Sequence, residues 1–144
     1  MLALFDYGLA FGETRAAIAG ALGAPTHTAS RTTENPYTPT TDSLFDLAYP
    51  GLRFWLMRLG ADGRELLGNV ELTAAERVLP GGVRCGSTSR ETLTRLLGEP
   101  RRVDVLGDTL VMSYPRPIAD AEEFVQLYVV RDTVRMVRWA LYVD

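Results

Sequence analysis

Apolar side chains in this chain recur with two different periods. Short stretches at 43–49, 52–59, 66–72, 102–106, 109–114, 124–130 and 133–143 are rich in β-branched, aromatic and aliphatic residues and are bounded by turn residues, which predicts strands. Pro50-Gly51, Ala61-Asp62-Gly63 and Arg131-Asp132 supply the turns. The other period is helical. Leu93, Leu96 and Leu97 stand at i, i+3 and i+4, which predicts a helix over 88–97. Thr88 and Glu91 form its capping box, Gly98 ends it and Pro100 prevents its resumption. Residues 2–7 and 14–22 read as two more short helices. Thr73-Ala74-Ala75-Glu76 opens another, which Pro80-Gly81-Gly82 stops. Residues 26–42 show no period and read as a long polar loop; the corresponding loop at 101–108 is about half that length.

The helical stretch occurs twice. Gly8, Gly12 and Thr14 recur as Gly82, Gly86 and Thr88; after a one-residue insertion at Ser89, Arg15, Leu22, Gly23 and Pro25 recur as Arg90, Leu97, Gly98 and Pro100. Such a repeat divides the chain into a first unit at 1–79 and a second at 80–144. Helices followed by strands, twice over, predict an α+β fold. Two tandem units, each a helix pair plus antiparallel strands, would share one curved sheet with the helices on one face.

Alternation along the strands sorts the side chains. Leu52, Phe54 and Leu56, Val70 and Leu72, Val125, Leu127 and Val129, and Val137, Trp139 and Leu141 are assigned to the helix-covered core. The other face then carries Arg53, Trp55 and Met57, with Asn69, Glu71, Gln126, Tyr128, Met136, Arg138 and Tyr142. A sheet face open to water is normally polar. Trp, Tyr, Met and Arg are instead the types enriched at protein interfaces. Arg53, Trp55, Met57, Tyr128, Arg138 and Tyr142 are therefore the candidate partner-binding residues. Two other outcomes remain open for Trp55 and Met57: burial under the 26–42 loop, or a bulge that turns the face over.

The pattern Gly-x-Thr, an apolar stripe, Leu-Gly-x-Pro, then a strand ending in an aromatic (Tyr49, Tyr114) resembles the β-lactamase-inhibitor-protein-like fold. The outer-membrane-assembly lipoprotein BamE carries a single similar unit. The resemblance runs from about Gly8 to the C-terminus. It implies a bacterial protein that grips a protein partner on an open sheet face, as inhibitor, immunity or assembly proteins do. One departure stands out: Cys85 is the lone cysteine, so the intrachain disulfides of the secreted inhibitors are impossible here.

Composition narrows the chemistry. The 144 residues are 47% hydrophobic and 23% charged, enough for a core without covalent staples. A formal charge of −3 leaves no electrostatic footprint for nucleic acid. All basic residues are Arg, which reads as compositional bias. His27 is the only histidine and sits in the Thr-rich loop, so neither a His metal pair nor a catalytic triad is expected. Cys85 reads as a small buried apolar side chain, although an activated thiolate beside Arg84 is conceivable. Asp104 with Asp108, and Glu122 with Glu123, lack the spacing of a cation loop; Gly81-Gly82 lacks the Lys of a phosphate loop. Arg101-Arg102 complements a helix C-terminus.

The expectation is a non-catalytic module with no cofactor and no metal. No basic leader, lipid-acceptor cysteine or stretch of about 18 apolar residues is visible, so the chain as written reads as cytoplasmic and not membrane-bound. A rival expectation is a small-molecule or lipid binder with a pocket between the sheet and the 26–42 loop.

Overall fold

The computed structural model describes residues 2–34, 36, 37, 39–116 and 123–141. Two short helices come first, α1 (Leu2–Tyr7) and α2 (Arg15–Leu22), then strands β1 (His27–Glu34), β2 (Thr41–Tyr49), β3 (Leu52–Arg58) and β4 (Glu65–Leu72). A 3-10 turn at Pro80–Gly82 leads to α3 (Arg90–Leu97), followed by β5 (Arg102–Leu106), β6 (Thr109–Pro115), β7 (Phe124–Val130) and β8 (Thr133–Ala140). All eight strands form one antiparallel sheet in the order β1-β2-β3-β4-β8-β7-β6-β5.

This corrects the expected architecture. The protein is dominated by a single eight-stranded sheet carrying three short helices, not by two units that each hold a helix pair. The missing element is the helix expected after Thr73. Thr73 and Ala74 instead donate their backbone N–H groups to the carbonyl of Gly51, at 2.9 and 3.2 Å, and Ala74 is buried. Only five residues then remain before Pro80, too few to repay the cost of nucleating a helix.

A second correction concerns 26–42. Its first half is β1, paired with β2 over eight residues from His27↔Ala48 to Glu34↔Thr41. Every residue of β1 is exposed. An edge strand with no buried face has no alternation to read, so β-branched Thr28, Thr32 and Thr33 are its main signal. The third correction is smaller. Ser89, not Thr88, caps α3 by accepting from the N–H of Thr92, while buried Thr88 accepts from the N–H of Arg84.

The core lies between the helices and one face of the sheet. Leu4 and Phe5 of α1, Ile18 of α2 and Leu93 of α3 join Leu52, Phe54, Leu56, Val70, Leu72, Val125, Leu127, Val129, Val137 and Trp139 in one buried cluster. Leu141 is half-buried at its margin. Trp139 is fully enclosed: its Nε1 donates to the Leu4 carbonyl at 3.0 Å, and Tyr7 stacks on its ring. Gly8 is needed for this closure, since a Cβ there would lie 2.4 Å from Cγ of the indole.

Two irregularities tune the sheet. The β3–β4 register shifts between Trp55 and Leu56, so Leu67 and Val70 both face the core although three residues apart. Gly68, the extra residue, accepts a hydrogen bond from the N–H of Leu141 through its carbonyl. A matching shift follows Tyr128 in the β7–β8 pair.

Candidate functional site

Cross-strand registry assembles the face opposite the core. One row runs Asp46↔Trp55↔Asn69 across β2, β3 and β4; the next runs Arg53↔Glu71↔Arg138 across β3, β4 and β8. A third holds Leu44↔Met57↔Leu66. Residues of β1, β2, β3, β4 and β8 line one cavity of about 500 Å³. Trp55, Met57 and Leu44, all half-buried, supply its apolar surface, and Arg31, Asp46, Glu71 and Arg138 its charge.

Of the sequence-predicted residues, Trp55, Met57 and Arg138 line this cavity. Arg53 sits beside it, exposed, pairing with the Asp46 carboxylate and placing its guanidinium 4.8 Å from the centre of the Trp55 ring. The cation lies over part of one face of the indole. Arg138 donates through Nε to Oδ1 of Asn69 at 3.2 Å, which fixes its head at the cavity wall. Tyr128 belongs elsewhere. It pairs with Met136 and Val111 over β6–β8, outside the cavity lining. Tyr142 lies outside the described residues.

Arg31, Leu44 and Asp46 are among the lining residues that escaped sequence reasoning. Arg31 sits on the strand read as a loop. Leu44 and Asp46 occupy the open face of β2, where the alternation Leu44-Phe45-Asp46-Leu47 could have placed them. Asp46 has the least settled environment of the set. Its Oδ2 meets Arg53, whereas its Oδ1 is buried with no hydrogen-bond partner among the described residues.

A second cavity, about 370 Å³, opens on the core side at the sheet margin. Arg15, Ala19 and Pro25 line it from the α2 side, and Thr28, Phe45, Leu47 and Tyr49 from β1 and β2. Arg15 spans it, its guanidinium 3.6 Å from the Phe45 ring centre and paired with Glu65.

The other chemical candidates are far apart. His27 is exposed on outermost β1, while Cys85 is buried and its thiol lies 3.5 Å from the Leu72 carbonyl on β4. Three strand spacings separate β1 from β4, roughly 14 Å. Burial pushes the Cys85 thiol up to about 11, against a smaller lowering by a backbone hydrogen bond at Val137, so the side chain is neutral at ordinary pH. Among the described residues no group of three or more His, Cys, Asp or Glu side chains is placed to hold a metal ion. Nor, among them, is any helix long and apolar enough to cross a membrane.

Comparison with known proteins yields a fold relative. No protein-family model matches this chain, and no curated protein does. Among solved structures, the crystal structure of a DUF4309 family protein, YjgB from Bacillus subtilis subsp. subtilis strain 168, matches with a TM-score of 0.55. The alignment covers 97% of this chain and 94% of that one at 13% identity, a likeness that reaches the fold and stops there.

Proposed function

We propose that this protein is a non-catalytic binding module that grips a segment of a partner protein in the cavity around Trp55. The observation that carries this reading is the cavity itself, where a half-buried Trp, Met and Leu are ringed by Arg and carboxylate side chains. An aromatic anchor inside a polar rim is the arrangement that concentrates binding energy at protein interfaces. The resemblance to β-lactamase-inhibitor-protein-like proteins supports the same class, with an inhibitor, immunity or assembly role. Trp55 carries the contact area, Met57 and Leu44 adapt to the partner's shape, and Arg138 and Arg31 supply directional donors.

The cavity volume favours a second reading. About 500 Å³ lies within the range that encloses small organic ligands, roughly 300–1,000 Å³. In that reading β1 forms a wall of the pocket and a small molecule fills it.

One experiment separates the two. A photo-crosslinking amino acid replaces Met57, and the protein is irradiated in extract of its host. A discrete protein adduct, competed by excess wild-type protein but not by Trp55→Ala, is the expected result. Absence of any adduct, together with a small molecule released when the natively purified protein is denatured, would replace the first reading with the second.

A further inference from the structure

The edge of the sheet farthest from this cavity carries a different kind of surface. β5 pairs with β6 only, so its outer row of backbone groups has no strand partner among the described residues. Six large apolar side chains are exposed among those residues, and three belong to this five-residue strand: Val103 at 42%, Val105 at 68% and Leu106 at 60%. Natural sheets blunt such edges with Pro, Lys, inward charges or bulges. β5 has no Pro, and its register with β6 is unbroken from Arg102↔Ser113 to Leu106↔Thr109. At the opposite edge β1 reads His-Thr-Ala-Ser-Arg-Thr-Thr-Glu and offers water a polar surface.

We infer that β5 is a self-association edge, at which two copies of the chain pair antiparallel about a two-fold axis through Val103. The charge pattern selects both the occupant and the register. Arg102 and Asp104 share one face of β5, with Arg102 Nε 2.9 Å from Asp104 Oδ2, while Val103 and Val105 share the other. With the axis at Val103, Arg102 stands opposite Asp104 of the second copy, and Asp104 opposite its Arg102. Arg102 and Asp104 then each have an opposite-sign neighbour along the strand and another across the interface, and Val103 packs on its own copy.

Moving the axis to Asp104 sets that carboxylate against itself, which is repulsive. Moving it to Val105 runs the ladder into the Gly107-Asp108 turn. The Val103 register has room on its other side. There the N–H of Arg101 is committed inward to the Ser113 carbonyl at 3.0 Å, so the new ladder centres on the Val103 pair with Arg102 and Asp104 flanking it. The result joins two eight-stranded sheets edge to edge and leaves both Trp55 cavities free.

Sedimentation equilibrium over a dilution series tests this. Wild-type protein should pass from twice 15.9 kDa to 15.9 kDa on dilution. Asp104→Arg and Arg102→Asp should each weaken the dimer about tenfold or more, because both place like charges opposite one another. Mixing these two variants should restore it, since their charges complement again. Both positions are solvent-facing, and far-UV circular dichroism checks that each variant is folded. A wild-type mass that stays at 15.9 kDa to the solubility limit overturns the inference. So does a dimer indifferent to both substitutions, or a mixture that fails to recover. Trp55→Ala should leave the association unchanged, which keeps this test independent of the cavity.

Discussion

The corners that end α2 and α3 are nearly identical, and what surrounds them is not. Gly23 and Gly98 take φ of 82° and 80° with ψ of −168° and −169°. Each donates its N–H at 2.8 Å to the carbonyl four residues back, and each offers its own carbonyl to a tyrosine hydroxyl at 2.9 Å: Tyr49 for Gly23, Tyr114 for Gly98. Upstream the likeness fails. Gly8 follows α1 and lies flat against Trp139, whereas its sequence counterpart Gly82 closes a 3-10 turn with nothing within 4 Å of a Cβ. A local motif therefore dictates its own helix, stop and clamp. It does not dictate what packs in front of it, because that depends on partners distant in sequence.

The sharpest way to break this comparison is at the two upstream glycines. Gly8→Ala should cost about 3 kcal/mol of stability, because neither the backbone nor the enclosed indole can move away. Gly82→Ala should cost about 1 kcal/mol, the strain of a side chain at positive φ alone. Chemical denaturation of both variants measures the pair. Equal losses would mean that the two positions share an environment after all. Trp139→Ala, which empties the same site, should cost about 3–5 kcal/mol, and more than Trp55→Ala, whose side chain is only half-buried.

The tyrosine clamps come next. Tyr49→Phe and Tyr114→Phe each remove one hydrogen bond worth about 1 kcal/mol. Tyr114 is the more enclosed of the two and should lose more, since the Gly98 carbonyl is then harder for water to reach. Burial raises the phenol of each, and at Tyr114 the nearby Glu99 charge adds to the effect. A denaturation midpoint lower for Tyr49→Phe than for Tyr114→Phe would reverse this ranking.

Alkaline pH sharpens the contrast further. The Cys85 thiol is raised from about 9 to about 11 in the folded protein, so folding favours the protonated form. That contribution is complete below pH 9 and disappears as pH climbs through 11. Stability should therefore fall over this window, and more gently in Cys85→Ala. At pH 8 the native thiol should resist alkylation and react only after unfolding. Prompt native alkylation would show that the burial is not maintained in solution.

The smallest effects belong to the caps. Thr14→Ala and Ser89→Ala each remove a side-chain acceptor for a helix N–H, and about 1 kcal/mol is expected for either. The same change at Thr88 acts differently, since it strips the N–H of Arg84 of its acceptor in a partly buried turn. A Thr88→Ala loss larger than that of Ser89→Ala, seen in thermal melts with unchanged helix content, would separate a turn clamp from a helix cap.

Strands with one buried face were legible because alternation records that burial directly. Leu52-Arg53-Phe54-Trp55-Leu56 on β3 and Val125-Gln126-Leu127-Tyr128-Val129 on β7 each show it, and the odd-even split put Trp55 and Met57 on the open face. β1 was invisible for the complementary reason: it buries nothing, and its pairing with β2 rests on backbone hydrogen bonds that any sequence can make. The helix expected after Thr73 failed because a capping pattern states only a local preference. The Gly51 carbonyl ties Thr73 and Ala74 to the β2–β3 turn, and the five residues left before Pro80 are too few to repay helix nucleation.

Local chemistry alone thus determined the α2 and α3 helices, their glycine stops, seven strands and the division of side chains between two faces. Those follow from propensity and period, which act over a few residues. Strand order, the bulge at Gly68, the cavity that gathers Arg31, Asp46, Trp55 and Arg138, and the separation of Tyr128 from them were decided only by tertiary structure. They depend on which distant backbone edges meet, and β4 meets β8 because Val70 and Leu72 find Trp139 and Val137 across the ladder. No residue carries that information by itself.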